Sequence, residues 1–256
     1  MRNKARQLNW NTSSFSIGTQ AHSLFEDVYT LKNYQVFVSS FSISEDQLSQ
    51  WRAYGATAKG VSIGFDLRRA QFIESSLTSD VFAPCIYSRS RQIDVINAWF
   101  DSYRGIVQKV FEAHGKTKGD PSKDIAEDLL DLYGPELSIE LIQSMMDGGR
   151  LCALLKHESF AEEREWRLVI SESRRRTIPS PHKRRIRVGA TTFIPYISIP
   201  LGGSKAAHGF RSRIKKIKIG PHPEPDRAIG AMSDFLSAYN LVGTDIEASR
   251  IPFRNW

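Results

Sequence analysis

The apolar positions change their period along the chain, and those changes divide it into segments. From Gln35 to Asp66 an apolar run leads into serines, a polar stretch follows, and a second apolar run starts after a glycine. That pattern predicts strand, helix, strand. VFAPCIY at Val81–Tyr87 predicts a third strand. Between Ile93 and Gly115, Ile96, Phe100, Tyr103, Val107 and Val110 fall three or four residues apart, the apolar stripe of a helix that packs into a core. After the polar connector KTKGDPSKD an acidic helix is expected over Asp124–Tyr133, and another after Gly134-Pro135, broken or bent at Gly148-Gly149.

Beyond Phe160 the period becomes two. In EWRLVIS, Trp166, Leu168 and Ile170 fall on one face and Glu165, Arg167 and Val169 on the other, predicting a half-buried strand with a charged face. IRVG, YISIPL and IKKIKIGP are further strand candidates, the last burying Ile214, Ile217 and Ile219 and leaving its lysines in water. Pro223–Asn240 reads as an amphipathic helix through Ile229, Met232, Phe235, Leu236 and Tyr239, and EASRIPFRN as a final short strand. Strands mixed with clustered helices, without strict alternation, predict an α+β fold: a mixed or antiparallel central sheet with flanking helices. A single domain over 1–256 is expected, with a helical insertion at about 93–158.

Composition narrows the class. The 256 residues are 41% hydrophobic and 11% aromatic, enough for a real core and too apolar for wholesale disorder. No run approaches the roughly 18 apolar residues of a membrane span, and MRNKARQLNW lacks the apolar stretch of a secretory signal. A cytoplasmic protein with no membrane association is therefore expected. Cys85 and Cys152 have neither CxxC nor Cys/His spacing and read as free thiols. The net charge of +7 is unevenly placed: Arg174–Lys218 holds 13 Lys and Arg and no acid, so the other residues carry 22 cations against 28 acids. A basic stretch of that kind points to a phosphate-bearing partner, and a solvated connecting loop is the plainer alternative.

Four stretches in a fixed order carry a resemblance. They are SSFS…LSQWRAYG…KGVSIGFD at Ser39–Asp66, KHESFAEEREWRLV at Lys156–Val169, IKIGP at Ile217–Pro221 and SRIPFR at Ser249–Arg254. Together they resemble a bacterial family known only as DUF2971, over nearly all of the chain from Gln35 onward. The first 34 residues depart from that family, lacking its tyrosine-rich opening strand and its Asn-Asp-Pro segment. At the level of short motifs, Ser40-Phe41-Ser42 with Glu163-Arg164-Glu165 is also similar to ADP-ribosyltransferases, where a Ser-x-Ser strand lies beside a glutamate that grips the nicotinamide ribose of NAD. That similarity implies an ADP-ribosyltransferase-like fold and NAD as substrate, with ADP-ribosyl transfer to a macromolecule or NAD hydrolysis as the reaction. It also implies service as an effector in bacterial conflict, either phage defence or a toxin system.

The residues give those roles a physical basis. Breaking the bond to nicotinamide builds positive charge on the ribose carbon, which a fixed carboxylate in a dry site stabilises. Glu165 is the candidate for that task and Glu163 for orienting or deprotonating the acceptor, provided the segment is extended and both share a face. A hydroxyl from Ser42 or Ser40 would hold Glu165. Arg52 or Arg167 could meet the pyrophosphate, and Trp51, Tyr54 or Phe41 could stack on a flat ring.

Each residue also has a plainer reading. Glutamates beside Arg164 and Arg167 on a wet edge strand would only pair with neighbours, the serines would cap a strand end, and Trp51 with Tyr54 would be packing. GVSIGFD and LGGSKAAHG read as turns without a P-loop ending, His157 as a residue near a helix end, and His182, His208 and His222 as unpaired. There is no Gly-x-Ser-x-Gly elbow. Two functional readings stay open: an NAD-consuming enzyme, and a non-enzymatic nucleic-acid-binding or sensing module that uses Arg174–Lys218. A metal-dependent nuclease built on Glu163, Glu165 and Asp66 ranks below both.

Overall fold

A computed structural model describes residues 34–55, 60–66, 80–114, 125–173, 183–199, 203–206 and 209–253. The first 33 residues, and with them most of the divergent front of the chain, lie outside the described residues, as do Arg174–Arg176 of the basic stretch. The fold is α+β. The described residues form two compact units, and the chain passes between them more than once. The first takes in 34–41, 80–114, 125–162, 166–173 and 183; the second takes in 42–55, 60–66, 163–165, 184–199, 203–206 and 209–253.

In the first unit, β1 (Tyr34–Ser42), β3 (Val81–Pro84) and β4 (Glu165–Ser173) form a sheet in the order β1-β4-β3. β3 runs antiparallel to β4, with Phe82 opposite Leu168 and Pro84 opposite Trp166. β4 is thus a central strand, and it is not half-buried as its alternation predicts. Leu168, Val169, Ile170, Ser171 and Glu172 are all buried, so both faces are covered and the wet edge expected for its charges does not exist. Phe82 links the aromatic residues of the sheet, edge-on to Phe41 at 5.7 Å and tilted against Trp166 at 5.2 Å.

Two long helices complete this unit: α2 (Arg89–His114) and α3 (Ile125–Leu154). Their core is Tyr103 on Leu141, with Trp99, Ile106 and Met145 around them, so the packed stripe of α2 includes Trp99 and Ile106, which the periodic reading left out. α3 is continuous where the sequence predicts separate helices broken at two places. Pro135 removes one backbone donor without ending the helix. Gly148 is a packing position: a Cβ there would lie 2.5 Å from Trp99 Cζ2. The Trp99 ring is held in that slot by its Nε1 donating to the Ser144 carbonyl at 2.8 Å and by stacking on Tyr103 at 5.5 Å. Burial pushes the Tyr103 hydroxyl up to about 12.

Gly148→Ala therefore sets two effects against each other. Helix propensity favours alanine by about 1 kcal/mol, while forcing Trp99 out of its slot costs about 1–3 kcal/mol. Overpacking wins, and a net loss of about 1 kcal/mol is expected in urea unfolding; a gain in stability would show that Trp99 moves freely.

The second unit is built on the order β10-β9-β2, where β2 is Val61–Phe65, β9 Ile214–Ile219 and β10 Asp245–Ala248. β10 runs parallel to β9, and the intervening α4 (Pro225–Ala238) makes the crossover that a parallel pair needs. Its core is Ile217, Ile219 and Leu236 with Ile229 and Met232, as the periodicity predicts, but Phe235 and Tyr239 are exposed and lie tilted against each other at 4.8 Å. The expected last strand lies earlier than predicted: β10 ends at Ala248 and Ser249–Phe253 is irregular. The unit also holds a short helix α1 (Leu48–Tyr54) and two hairpins, β5 (Lys183–Val188) with β6 (Phe193–Ser198), and β7 (Gly203–Ala206) with β8 (Gly209–Ser212). β7 lies within LGGSKAAHG and β2 within GVSIGFD, so both expected turns contain strand.

Candidate functional site

The end of β1 and the approach to β4 meet in the second unit. Glu158–Glu163 is a 3-10 helix, Arg164 takes a left-handed backbone at φ 45°, and Glu165 opens β4. A non-glycine residue there is strained by roughly 1 kcal/mol or more, and such strain is held only where neighbours fix it. Here the neighbours are backbone and hydroxyl contacts: Ile43 N–H donates to the Arg164 carbonyl at 3.4 Å, and Ser42 Oγ donates to the Glu163 carbonyl at 2.7 Å.

This corrects two expectations. The segment 163–165 is not extended, so alternation does not put Glu163 and Glu165 on one face. Ser42 has one hydroxyl proton and gives it to the Glu163 backbone, while accepting Ser44 N–H at 3.0 Å. It supports the turn before Glu165 and does not donate to the carboxylate. Glu165 itself is buried, 6% exposed, while Glu163 is half-buried.

The other candidates divide between the units. Ser40 is exposed on β1 in the first unit. Arg167, also in the first unit, donates its Nη1 to the Ala153 carbonyl near the end of α3, which engages part of a guanidinium expected to meet pyrophosphate. Arg52 and Tyr54 are exposed on α1 in the second unit. Trp51 is a fixed wall: its Nε1 donates to Asp46 Oδ1 at 2.8 Å, and a Cβ on Gly220 would come within 3.0 Å of its Cε3. Trp51 and Tyr54, with Ser44, Glu45, Gln47 and Gln50, line an open cavity of about 140 Å3 in this unit.

Asp46 is the residue that sequence reasoning missed. Besides Trp51 it accepts Ser249 Oγ at 2.6 Å and Arg250 N–H at 2.8 Å, tying the SISED turn and WRAYG to SRIPFR. IKIGP joins the same assembly, because Gly220 N–H donates to the Gly60 carbonyl at 3.0 Å and packs on Trp51. Within the second unit, WRAYG, IKIGP and SRIPFR are therefore packed together. The only sequence signal for Asp46 was its place ahead of α1.

The lysines of β9 are a further correction. Ile217 and Ile219 face the core, but the opposite face is not open water: Lys218 is 3% exposed. Its Nζ lies 3.3 Å from Glu45 and 3.2 Å from Glu247, and Lys216 Nζ lies 3.3 and 3.2 Å from the same two carboxylates. Hydrogen bonding from Lys216 to Glu45, and from Lys218 to Glu247, holds each carboxyl below its ordinary value of 4.5. A carboxyl with a lowered folded value adds stability that is present above the unfolded value and lost as pH falls through the folded one. The urea midpoint should thus fall on acidification below pH 4.5, and Glu45→Gln with Glu247→Gln should flatten that dependence. An unchanged acid limb in the double variant would assign it to other carboxyls.

Among the described residues no three His, Cys, Asp or Glu side chains gather as a metal site, so Glu163, Glu165 and Asp66 do not form one. No described helix is long and apolar enough to cross a membrane. Cys85 and Cys152 are free thiols.

Residues 50–168 match DUF2971, a family described as a protein of unknown function. The DUF2971 match takes in Trp51, the strained turn at Arg164 and Glu165, and ends on β4. IKIGP and SRIPFR lie beyond it in sequence; Gly220 of the first packs on Trp51 inside the match, and Ser249 of the second bonds to Asp46, just ahead of it. No curated protein and no solved structure matches the chain.

Proposed function

We propose that this chain is an NAD-consuming enzyme that cleaves the bond between nicotinamide and ribose. The observation that supports this reading is Glu165, a buried carboxyl at the head of the central strand β4, set there by a strained turn that Ser42 and Ile43 hold. Water screens a carboxylate least where it is excluded, so a negative group in that position acts most strongly on a cation forming beside it. As the C1′–N bond breaks, its electron pair leaves with nicotinamide and the ribose carbon becomes oxocarbenium-like. Glu165 would stabilise that carbon and bind a ribose hydroxyl. The oxygen of water or of a macromolecular acceptor then bonds to C1′ and gives up its proton, with Glu163 as the nearest candidate base in sequence.

Arg52 on α1 is a candidate for the pyrophosphate, and the Trp51–Tyr54 cavity for a flat ring. The test is nicotinamide release from NAD by the purified protein, alone and with RNA, DNA or lysate as acceptor, against Glu165→Gln. No release in any mixture overturns the proposal.

A further inference from the structure

The basic stretch has structure of its own. β5 reads Lys183-Arg184-Arg185-Ile186-Arg187-Val188, and every one of these residues is exposed. A tight turn closes the hairpin, with Gly189 N–H donating to the Thr192 carbonyl at 2.8 Å, and Phe193 opens β6 directly after it. Alternation puts Lys183, Arg185 and Arg187 on one face of β5 and Arg184, Ile186 and Val188 on the other.

The apolar members are open too: Ile186 is 68%, Val188 78% and Phe193 72% exposed. No acid occurs anywhere from Arg174 to Lys218, so the hairpin has no carboxylate of its own segment to neutralise it. We infer that the β5–β6 hairpin is a binding surface for single-stranded nucleic acid, with Arg185 and Arg187 on phosphates and Phe193, beside Val188, as a platform for a base. The surface does not depend on the NAD reading.

Charge alone would suit any polyanion. The apolar side chains favour a single strand, because a duplex keeps its base faces stacked away and offers an exposed phenyl ring only its phosphate rims and groove edges. An unpaired base presents a flat face that stacks on an aromatic ring, and stacking of this kind with a cationic strip is how single strands are held without sequence preference. A two-stranded hairpin is also narrow enough for long arginine side chains to reach one backbone from either face.

The test uses the full chain and fluorescein-labelled 20-mers: single-stranded RNA, single-stranded DNA and a DNA duplex, followed by fluorescence anisotropy at several salt concentrations. Single strands should bind more tightly than the duplex, and the RNA and DNA arms identify which polymer is preferred. Arg185→Glu with Arg187→Glu should weaken binding at least tenfold and make log K less steep in log salt by about 1.4, two phosphates at 0.7 each. Phe193→Ala should weaken single-strand binding about tenfold and leave duplex binding unchanged. All three side chains are exposed, so unfolding midpoints should be unaltered, which separates loss of binding from loss of fold. Absence of single-strand binding overturns the inference, as does binding that ignores both substitutions, or a duplex bound equally well without need of Phe193. Self-association that disappears in Phe193→Ala, with no oligonucleotide bound, assigns the surface to a second copy of this chain and overturns it as well.

Discussion

Glu165→Gln is expected to lower nicotinamide release about 10²–10³-fold, the range found when one preorganised electrostatic group is removed from an active site, or roughly 3–4 kcal/mol of transition-state stabilisation. Glutamine keeps the size of the side chain and one acceptor oxygen, so it still fills the position at the head of β4 and can still meet a ribose hydroxyl. It removes the negative charge, the property that matters as C1′ becomes cationic. The loss should therefore fall on kcat more than on KM, because ground-state contacts survive and transition-state contacts do not. Glu165 is buried, so the variant is compared by urea unfolding as well. A midpoint near that of the native chain with turnover gone assigns the loss to chemistry. Turnover within threefold of native would move the reaction away from Glu165. Glu163→Gln, at a half-buried residue closing a 3-10 helix, should cost less if water is the acceptor, since water needs less help to lose its proton as bond formation proceeds.

Asp46→Ala should destabilise the second unit by about 2–3 kcal/mol. Hydrogen bonds to a charged group contribute about 1.5–3 kcal/mol each, but three on one partly exposed carboxylate are screened by water and do not add. Alanine leaves the Trp51 indole N–H, the Ser249 hydroxyl and the Arg250 N–H without their acceptor. Burial works against the charge on Asp46, but those three donors and the Lys218 charge outweigh it and hold the carboxyl below the ordinary 3.8. The sign follows: the stabilisation is complete above that ordinary value and is lost as pH falls through the lower folded one. Urea unfolding at pH 7 checks the magnitude. Asp46→Asn, which keeps an acceptor oxygen, should lie between native and alanine, and an alanine variant as stable as native would show that the motifs cohere without this residue.

Much of the fold was legible because period and burial coincide over short distances. β9 and α4 were found from the spacing of their apolar residues, since each buries one face on the shared core of Ile217, Ile219 and Leu236. The errors fall where a distant partner decides the outcome. Gly148 and Pro135 look like helix breakers in isolation, but α3 runs through both, and Gly148 is small because Trp99 from another helix lies against it. Lys218 looks like a solvent-facing residue until Glu45 and Glu247 cover its face. β4 looks like an edge strand because its own residues alternate, and only its pairing on both sides makes it central.

The candidate site was legible to the same degree. Glu165 was found from its place at a strand entry, but its burial was not, and the turn at Arg164 breaks the extended geometry that would have aligned it with Glu163. Trp51 was noticed as an aromatic and turned out to be fixed by Asp46, two of whose three donors, Ser249 and Arg250, lie far along the chain.

That distance has a consequence for synthesis. Asp46 and Ser249 are 203 positions apart, and the second unit draws on described residues from the early, middle and late chain, 42–55 and 60–66, 163–165, and 184–199, 203–206 and 209–253. A ribosome adding about 5–20 residues per second needs roughly 10–40 seconds to travel from one to the other. Through most of that interval Trp51 and Asp46 have been made while Gly220, Ser249 and Arg250 have not, and β2 waits for the strand it pairs with. The second unit therefore closes late in translation, and a nascent chain halted before Ser249 carries α1 and β2 without the residues that would lock them.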